Sequence, residues 1–310
     1  MPPAKLDGQA PPAAPKPHYY PERAVTLLAP FARGSLEDRA ARALAASAEK
    51  GMGFPLVVVN REGDPGSAWA ELKRARPDGY TLGILTTPEF PVFLLEQRES
   101  PPMRLSDLSI IGGHLQGQRA ILVRASSPYR TIGELIAAAA AQPESISLGF
   151  GPASLSHRLA AAGFQHGSKA RLRLTPFSDG SGVLMWTVNG DVEAALGRLK
   201  ELGPAVRSGQ GRLLAILDEA RSPDYPTVPT LREAGMELVS YSGLAYAAPA
   251  GTAREIVDYL SWAFYGGATD PNFRREMAEV GPSFRYLDSR ALSQYLVSES
   301  ERVKPLLPLK

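Results

Sequence analysis

Two segments of the sequence combine small residues, hydroxyls and one polar side chain in an order that could bind an anion. Each follows an apolar run and precedes a helical pattern. The amides of a helix's first turn lack partners and carry partial positive charge, so a carboxylate or phosphate can bind there. The first segment contains Phe31, Ala32, Arg33, Gly34, Ser35 and Asp38, and the second contains Gly151, Ala153, Ser154 and His157.

The same residues have a simpler explanation as helix caps. Ser35 and Asp38 form an S-x-x-D capping pattern, and Ser154 and His157 occupy the same positions before the second helix. Such a cap stabilises a helix start by about 1 kcal/mol. Both explanations stay open for either segment alone. Two similar segments favour a binding site, because ligands of α/β sheets lie beyond the carboxyl ends of strands.

Apolar, strand-like runs alternate with helical patterns along the chain, which predicts an α/β protein with parallel sheets and crossover helices. Capping boxes at Thr131 with Glu134 and at Thr252 with Glu255 predict two helix starts. The predicted strands are Ala24–Ala29, Leu56–Asn60, Tyr80–Leu85, Arg119–Arg124, Ile146–Gly149, Val192–Leu196, Leu213–Leu217 and Gly243–Ala248. The predicted helices include Leu36–Lys50, Ser67–Arg76, Thr131–Ala141, Leu202–Ser208, Thr252–Tyr265 and those starting at Pro271 and Ser289.

Composition excludes several classes of function. The 310 residues carry a formal net charge of +2 with no basic run, which argues against nucleic-acid binding. Without cysteine the chain has no thiolate nucleophile or zinc–thiolate site, and the spacing of the four histidines argues against a metal site. The first 22 residues are rich in proline and lack the apolar core of a signal peptide, so they are interpreted as a disordered leader or linker. A protein whose signal peptide has been removed would have such a start, and so would a cytosolic protein.

Further short motifs, in a fixed order, carry a resemblance to a known family over nearly the whole chain. They are Tyr20-Pro21, Pro30-Phe31-Ala32 with Gly34 and Asp38, Val59-Asn60-Arg61 with Gly63, Pro77-Asp78-Gly79-Tyr80-Thr81-Leu82, Ser154-x-x-His157, Pro176-Phe177 with Gly180, Asn189-Gly190-Asp191-Val192, Pro226-x-Val228-Pro229-Thr230-x-x-Glu233-Ala234-Gly235 and Ala248-Pro249-Ala250-Gly251-Thr252. With these motifs the chain resembles the Bug family of extracytoplasmic solute receptors, the substrate-binding subunits of tripartite tricarboxylate transporters.

The resemblance implies a two-lobe, periplasmic-binding-protein-like (Venus flytrap) fold with crossing hinge strands. Residues 1–20 would be a disordered leader or linker, 21–118 plus 241–310 the first lobe and 119–240 the second. It implies a monomeric periplasmic receptor that captures a small organic acid in the interlobe cleft and delivers it to membrane permease subunits, without catalysis, cofactor or nucleic acid. The residues expected to line the site are Phe31, Ala32, Arg33, Gly34, Ser35, Asp38, Thr86, Thr87, Gly151, Ala153, Ser154, His157, Phe177, Asp179, Gly180 and Arg198.

This chain departs from the family pattern at several of these positions. Arg33-Gly34-Ser35 stands where the family has Pro-Gly-Gly, and Ala153-Ser154 where it has Gly-Ser. Phe177-Ser178-Asp179-Gly180 replaces aromatic-Lys-Gly-Gly, Trp186 replaces an Asp, and Gly197-Arg198 replaces Asp-Asn.

Because arginine can bind a carboxylate through two hydrogen bonds, we hypothesise that Arg33 or Arg198 holds a second carboxylate, favouring a di- or tricarboxylate. The alternative is that Arg33 points to solvent and Arg198 pairs with Glu201 or another surface acid.

Two other classes of function share these residues. A sensory binding protein that passes its closed form to a signalling partner would need the same pocket. A small hydrolase or lyase would use Ser154, His157 and Asp179, whereas His157 at a helix start more simply packs or braces the loop.

Overall fold

The computed structural model describes residues 10–96, 103–151, 154–278 and 284–308, which form two compact units. The first unit comprises 10–116 and 242–304 of these residues, and the second comprises 117–241 and 305–308. The chain therefore passes from the first unit to the second after residue 116 and returns after residue 241, and its last described residues, 305–308, again belong to the second unit.

The elements follow one another in chain order. The first pass through the first unit contains β1 (Val25–Ala29), α1 (Leu36–Met52), β2 (Leu56–Asn60), α2 (Pro65–Arg74), β3 (Thr81–Thr87), α3 (Glu89–Glu96) and β4 (Leu108–Gln116). The second unit contains β5 (Arg119–Arg124), α4 (Ile132–Ala141), β6 (Ser147–Phe150), α5 (Leu155–Ser168), β7 (Arg173–Pro176), α6 (Gly180–Asn189), β8 (Ala194–Arg198), α7 (Leu199–Arg207) and β9 (Gly211–Ile216). The return contains β10 (Ser242–Pro249), α8 (Arg254–Thr269), α9 (Pro271–Ala278), β11 (Phe284–Asp288) and α10 (Ser289–Val303).

The first unit is built on a six-stranded mixed sheet in the order β11-β4-β10-β3-β1-β2. Strands β1, β2 and β3 are parallel, and β10 runs antiparallel between β3 and β4. Helix α1 packs against α8 closely enough that a Cβ at Gly267 would lie 2.9 Å from the Ala48 amide nitrogen. The core between helices and sheet is apolar, with Leu27, Leu44 and Phe264 fully buried.

The second unit has a five-stranded sheet in the order β7-β6-β8-β5-β9. Strands β6, β7 and β8 are parallel, whereas β5 runs antiparallel to both β8 and β9. In each sheet, the strand that directly follows a passage between units, β5 or β10, is thus reversed. Parallel strands place the starts of the helices that follow them at one edge of the sheet.

The predicted α/β class is confirmed, and each predicted strand overlaps a strand of the structure. The sheets are mixed rather than wholly parallel.

The predicted capping box at Thr252 is wrong. Helix α8 begins at Arg254, and the Thr252 hydroxyl donates to the Pro249 carbonyl instead. At Thr131 the cap is confirmed, because its hydroxyl accepts from the Glu134 amide at 3.2 Å.

Tyr20, at the end of the proline-rich N-terminal stretch, is buried in the first unit. Its hydroxyl donates to the Gly79 carbonyl at 2.7 Å, and its ring lies edge-on to those of Tyr80 and Tyr259. Among the described residues, no helix has both the length and the apolar content to cross a membrane.

Candidate functional site

In the first unit, a turn between β1 and α1 holds the first predicted anion-binding segment. Ser35 caps α1, and its hydroxyl accepts from the Asp38 amide at 3.1 Å. Gly34 has a φ of 83°, a left-handed conformation that glycine adopts without strain, and a Cβ placed there would meet nothing within 4 Å. Glycine is therefore needed here for conformation, and the space beside it is open.

The Asp38 carboxylate stabilises this turn through its hydrogen bonds. The residue is 2% exposed, and Oδ2 accepts from the Gly34 amide at 2.8 Å and from Arg42 Nε at 3.0 Å. Oδ1 accepts from Asn60 Nδ2 at 2.8 Å, and that amide group also donates to the Phe31 carbonyl. Because both carboxylate oxygens accept these hydrogen bonds, Asp38 stabilises the turn and is not free to bind a ligand. The Gly34 amide already donates to Asp38, so it is not available to a ligand either.

The ionised form of Asp38 is favoured by its partners. Burial alone raises the pKa of Asp38, but hydrogen bonds from Arg42, the Gly34 amide and Asn60, together with the charge of Arg42, hold that pKa below its ordinary value. The Ser35 hydroxyl and carbonyl take the amides of Asp38 and Arg39. Leu36 and Glu37, at the very start of α1, supply the remaining first-turn amides that could face a ligand.

Thr86 and Thr87 end β3, beside the turn after β1. Thr26 and Leu28 of β1 pair in parallel with Thr81 and Gly83, so both strands reach the same edge of the sheet. Thr86 is half-buried, whereas Thr87 is buried and its hydroxyl has no hydrogen-bond partner in the described part of the chain.

In the second unit, sheet register brings three predicted loops level with one another. Phe150 pairs with Pro176 of β7 and with Leu196 of β8, all in parallel. The next residues along these strands, Gly151, Phe177 and Gly197, therefore lie side by side at one edge. The structure thus groups the predicted second-unit residues Gly151, Ser154, His157, Phe177, Asp179, Gly180 and Arg198 at the carboxyl ends of parallel strands.

Gly151 lies directly against the start of α6. A Cβ on Gly151 would approach the Asp179 carbonyl oxygen to 2.5 Å, so only glycine fits. Asp179 caps α6, and its Oδ1 accepts from the Gly182 amide at 2.7 Å and the Ser181 hydroxyl at 2.6 Å. These bonds, first the one from Ser181, lower the pKa of Asp179. A Cβ on Gly180 would meet Glu201 Oε2 at 2.6 Å, which places the Glu201 carboxylate at this helix start.

Ser154 is the N-cap residue directly before α5, but its hydroxyl makes no capping bond with the backbone. Instead Ser154 Oγ lies 3.0 Å from His157 Nδ1 and 3.2 Å from Ser156 Oγ. Ser156 Oγ in turn accepts from Arg119 Nη2 at 3.1 Å. Of the two explanations left open for this segment, a side-chain cap by Ser154 is therefore not the one that the structure shows, because the hydroxyl contacts other side chains instead. Ala153 lies outside the described residues.

His157 is fully buried. Burial, followed by the nearby positive charges of Arg119 and Arg198, lowers the pKa of His157 to about 3, so the ring is neutral at physiological pH. A base with such a low pKa is poorly suited to general-base catalysis near pH 7. The carboxylate of Asp179 is engaged with Ser178, Ser181 and Gly182, so the described contacts assemble no Ser–His–Asp triad.

The two arginines that distinguish this chain differ in their surroundings. Arg33 is exposed, and its backbone amide donates to Glu62 Oε1 at 3.1 Å. Arg198 ends β8, and its Nη1 lies 3.9 Å from Glu201 Oε1, an ion pair at the limit of contact. Nearby, the ring of Phe177 lies 5.8 Å from that of Trp186, whose side chain is 51% exposed. Trp186 is thus a surface residue of α6 rather than part of the core.

Residues that the sequence analysis did not single out hold both loops in place. Asn60 belongs to a family motif but carried no predicted role, and Arg42 looks like an ordinary helix-surface residue. Arg119 is the first residue of an apolar strand, where burying a charged side chain is unfavourable unless it has hydrogen-bond or ion-pair partners. Its position was therefore the one sequence signal that could have indicated a buried polar network. Arg119 is 3% exposed and donates to the Ser240 carbonyl and hydroxyl at 3.2 and 3.0 Å.

Two α/β units, with helix starts at the carboxyl edges of the parallel strands in each, are the architecture of a two-lobe solute-binding protein. Residues 40–309 match the tripartite tricarboxylate transporter family receptor. The chain belongs to this family, and its resemblance to the Bug receptors is confirmed. In the described residues, no cluster of acidic or histidine side chains could hold a metal ion.

Relatives agree with this assignment over nearly the full length. A UPF0065 protein from the gbd 5′ region of Cupriavidus necator is 28% identical over 306 residues, covering 98% of this chain and 92% of the relative. A TctC solute-binding protein from Polaromonas has the same fold, with a TM-score of 0.83, 26% identity and coverage of 93% and 99%. The MatC protein of Rhodopseudomonas palustris, solved with bound malate, is similar in fold, with a TM-score of 0.65, 24% identity and coverage of 93% and 99%.

Proposed function

We propose that this receptor captures a small di- or tricarboxylate, or an aromatic carboxylate, and delivers it to the membrane permease subunits of a tripartite transporter. The observation that carries the proposal is the pairing of family membership with two braced helix starts, one in each unit, at Ser35 and at Ser154. First-turn amides suit a carboxylate because they donate hydrogen bonds to its oxygens and carry partial positive charge.

The binding mode is the one implied by the family resemblance, in which one acid engages both units. Such a ligand shifts the population toward the closed form, because only that form lets it contact both at once. The receptor acts as a monomer in the periplasm and carries out no chemistry on its ligand. Malate bound to a relative of the same fold supports the choice of carboxylates as the first ligands to test.

A second carboxylate is proposed to bind Arg33 or Arg198. Both side chains reach solvent, and neither is committed to a close ion pair in the described residues, since Arg198 lies 3.9 Å from Glu201 and Arg33 has no ion-pair partner there. A guanidinium in this position gains a bidentate bond when a second carboxylate arrives. Succinate, citrate and malate should therefore bind more tightly than acids with one carboxylate.

A thermal-shift screen of malate, succinate, adipate, citrate and terephthalate tests the proposed function. An acid present at 100 times its Kd should stabilise the receptor by about 2.7 kcal/mol, which appears as a clear rise in Tm. If none of these acids shifts Tm, or if incubation converts a carboxylate ester to product, the proposed function is wrong.

Matched variants test the arginine hypothesis with the acid that binds best. Arg33→Ala or Arg198→Ala should weaken a dicarboxylate about tenfold while leaving a monocarboxylate of the same length unchanged. Arg39→Ala, an exposed arginine on α1, is the control. Equal affinities in all three variants would exclude both arginines from the site.

A further inference from the structure

A buried side-chain network in the second unit determines what the Ser154 hydroxyl can do. The network contains Arg119, Ser156, Ser154 and His157, linked by contacts of 3.1, 3.2 and 3.0 Å. Arg119, Ser156 and His157 are buried, whereas Ser154 is only partly so. Ser154 is therefore the member of the network that can meet a ligand.

The direction of hydrogen bonding starts at Arg119. A guanidinium donates and never accepts, so Ser156 Oγ must be the acceptor of the bond from Nη2. Two further hydrogen bonds, from Nη1 to the carbonyl and hydroxyl of Ser240, fix the orientation of the guanidinium. Arg119 thus fixes the role of Ser156.

Ser156 must then donate to Ser154. Its hydroxyl has one proton, it is 7% exposed, and Ser154 Oγ is the only acceptor that the described contacts offer it. If Ser154 donated instead, the Ser156 proton would be buried without a partner, which costs more than an unused lone pair. One of the two lone pairs of Ser154 is therefore occupied.

His157 fills the other lone pair. Its Nε2 is buried without a hydrogen-bond partner among the described residues, and its Nδ1 faces Ser154 Oγ. The neutral ring carries one proton, and placing it on Nε2 would bury an unpaired N–H. The proton is therefore better placed on Nδ1, where it donates to Ser154, and Nε2 keeps a bare lone pair.

We propose that Arg119, Ser156 and His157 are positioning residues that make the Ser154 hydroxyl a dedicated hydrogen-bond donor for the bound acid. With both lone pairs taken by Ser156 and His157, Ser154 can only give its own proton. A carboxylate oxygen only accepts, so it matches this hydroxyl, whereas a ligand group that can only donate finds no acceptor there. The inference rests on the proposed function, because it names how that ligand is selected.

The tautomer of His157 tests the network in the ligand-free protein. Long-range proton–nitrogen spectra of the full chain labelled at its four histidines distinguish Nδ1–H from Nε2–H, and His157→Gln identifies the signal of His157. We expect a neutral ring with the proton on Nδ1 from pH 5 to pH 8. A proton on Nε2, or a charged ring in this range, would overturn the proposal whether or not any acid binds.

Affinity for malate tests the consequence for the ligand. Ser156→Ala should weaken malate about tenfold, because Ser154 regains a free lone pair and its proton is no longer directed outward. Ser156→Thr keeps the hydroxyl and should restore most of the affinity. Ser222→Ala removes another buried serine of the second unit and is the control.

Unchanged affinity in Ser156→Ala, or an equal loss in Ser222→Ala, would overturn the assigned role of Ser156. If the unmodified receptor does not bind malate or any other acid of the screen, the proposed function fails instead, and the His157 spectrum still decides the hydrogen-bond direction.

Discussion

The helix starts at Ser35 and Ser154 look alike in sequence but are built by different physical means. At Ser35 the serine caps the backbone, and an ionised aspartate, Asp38, braces the turn together with Arg42 and Asn60. At Ser154 the serine hydroxyl makes no backbone cap bond. It contacts a neutral histidine and, through Ser156, is linked to the buried Arg119. One loop thus depends on a charge that must stay ionised, and the other on a ring that must stay uncharged.

The glycines of the two loops, Gly34 and Gly151, are also required for different reasons, and replacing Gly151 should give the largest effect on stability. Gly151→Ala would force a Cβ to 2.5 Å from the Asp179 carbonyl, and should destabilise the protein by about 3 kcal/mol. Gly34→Ala meets no atom within 4 Å but must hold a φ of 83°, so it should cost only about 1 kcal/mol. Urea unfolding of both variants measures the difference, and equal losses would contradict the packing explanation for Gly151.

The neutral histidine predicts a dependence of stability on pH. The pKa of His157 is lowered to about 3 from an ordinary 6.5, so below pH 6.5 the unfolded chain takes up a proton that the folded chain refuses. Stability contributed by His157 is therefore lost as pH falls, by about 2 kcal/mol between pH 7 and pH 5.

His157→Gln removes this loss, while His114, whose pKa is also lowered by burial to about 3, remains in both proteins and provides the internal reference. Unfolding free energies at pH 7 and pH 5 for the two proteins give the comparison. The same drop in both would mean that His157 is accessible to protons in the folded state.

The stabilisation of the first loop by ionised Asp38 should be lost at a lower pH than the stabilisation that His157 contributes. Because the pKa of Asp38 is lowered in the folded protein, its stabilisation is complete above the unfolded pKa of about 4 and is lost as pH falls toward the folded value. Asp38→Asn should cost about 1.5 kcal/mol at pH 6. The gap between variant and parent should narrow at pH 3, as measured by urea unfolding. A constant gap would show that the Asp38 charge contributes nothing.

The two serines should show the smallest and most specific contrast. Ser35→Ala removes a cap bond to the Asp38 amide and should cost about 1 kcal/mol of stability. Ser154→Ala removes no cap bond and should change Tm less, while weakening malate more. Thermal melts with and without malate separate the two effects. A larger stability loss for Ser154→Ala would reverse the roles assigned here.

How far the sequence could predict the molecule depended on how local each signal was. The cap at Ser35 and the strands Val25–Ala29 and Leu56–Asn60 have local patterns, and these predictions agree with the structure. Strand β4 was missed because Gly112 and Gly113 interrupt its apolar run. The reason is tertiary, since a Cβ at Gly113 would lie 2.5 Å from the Leu244 carbonyl on the neighbouring strand.

The bracing of the second loop could not be predicted at all. Arg119 meets Ser240, which lies 121 residues later, and Ser156, which lies 37 residues later. Nothing in the local pattern of either serine indicates such a partner. The S-x-x-H spacing was equally consistent with a backbone cap and with a side-chain network. Only the orientation of the Ser154 side chain distinguishes these two arrangements.

The reversed strand β10 also has a consequence for how the chain is made. It pairs with both β3 and β4, so the middle of the first sheet is supplied by residues synthesised after residues 117–241 of the second unit. The second unit is a continuous stretch apart from a short C-terminal piece and can close while the first still lacks a central strand. During synthesis, the edges of Thr81–Thr87 and Leu108–Gln116 stay without this neighbour until the chain has grown past Pro249, an interval in which they are open to aggregation or to a chaperone.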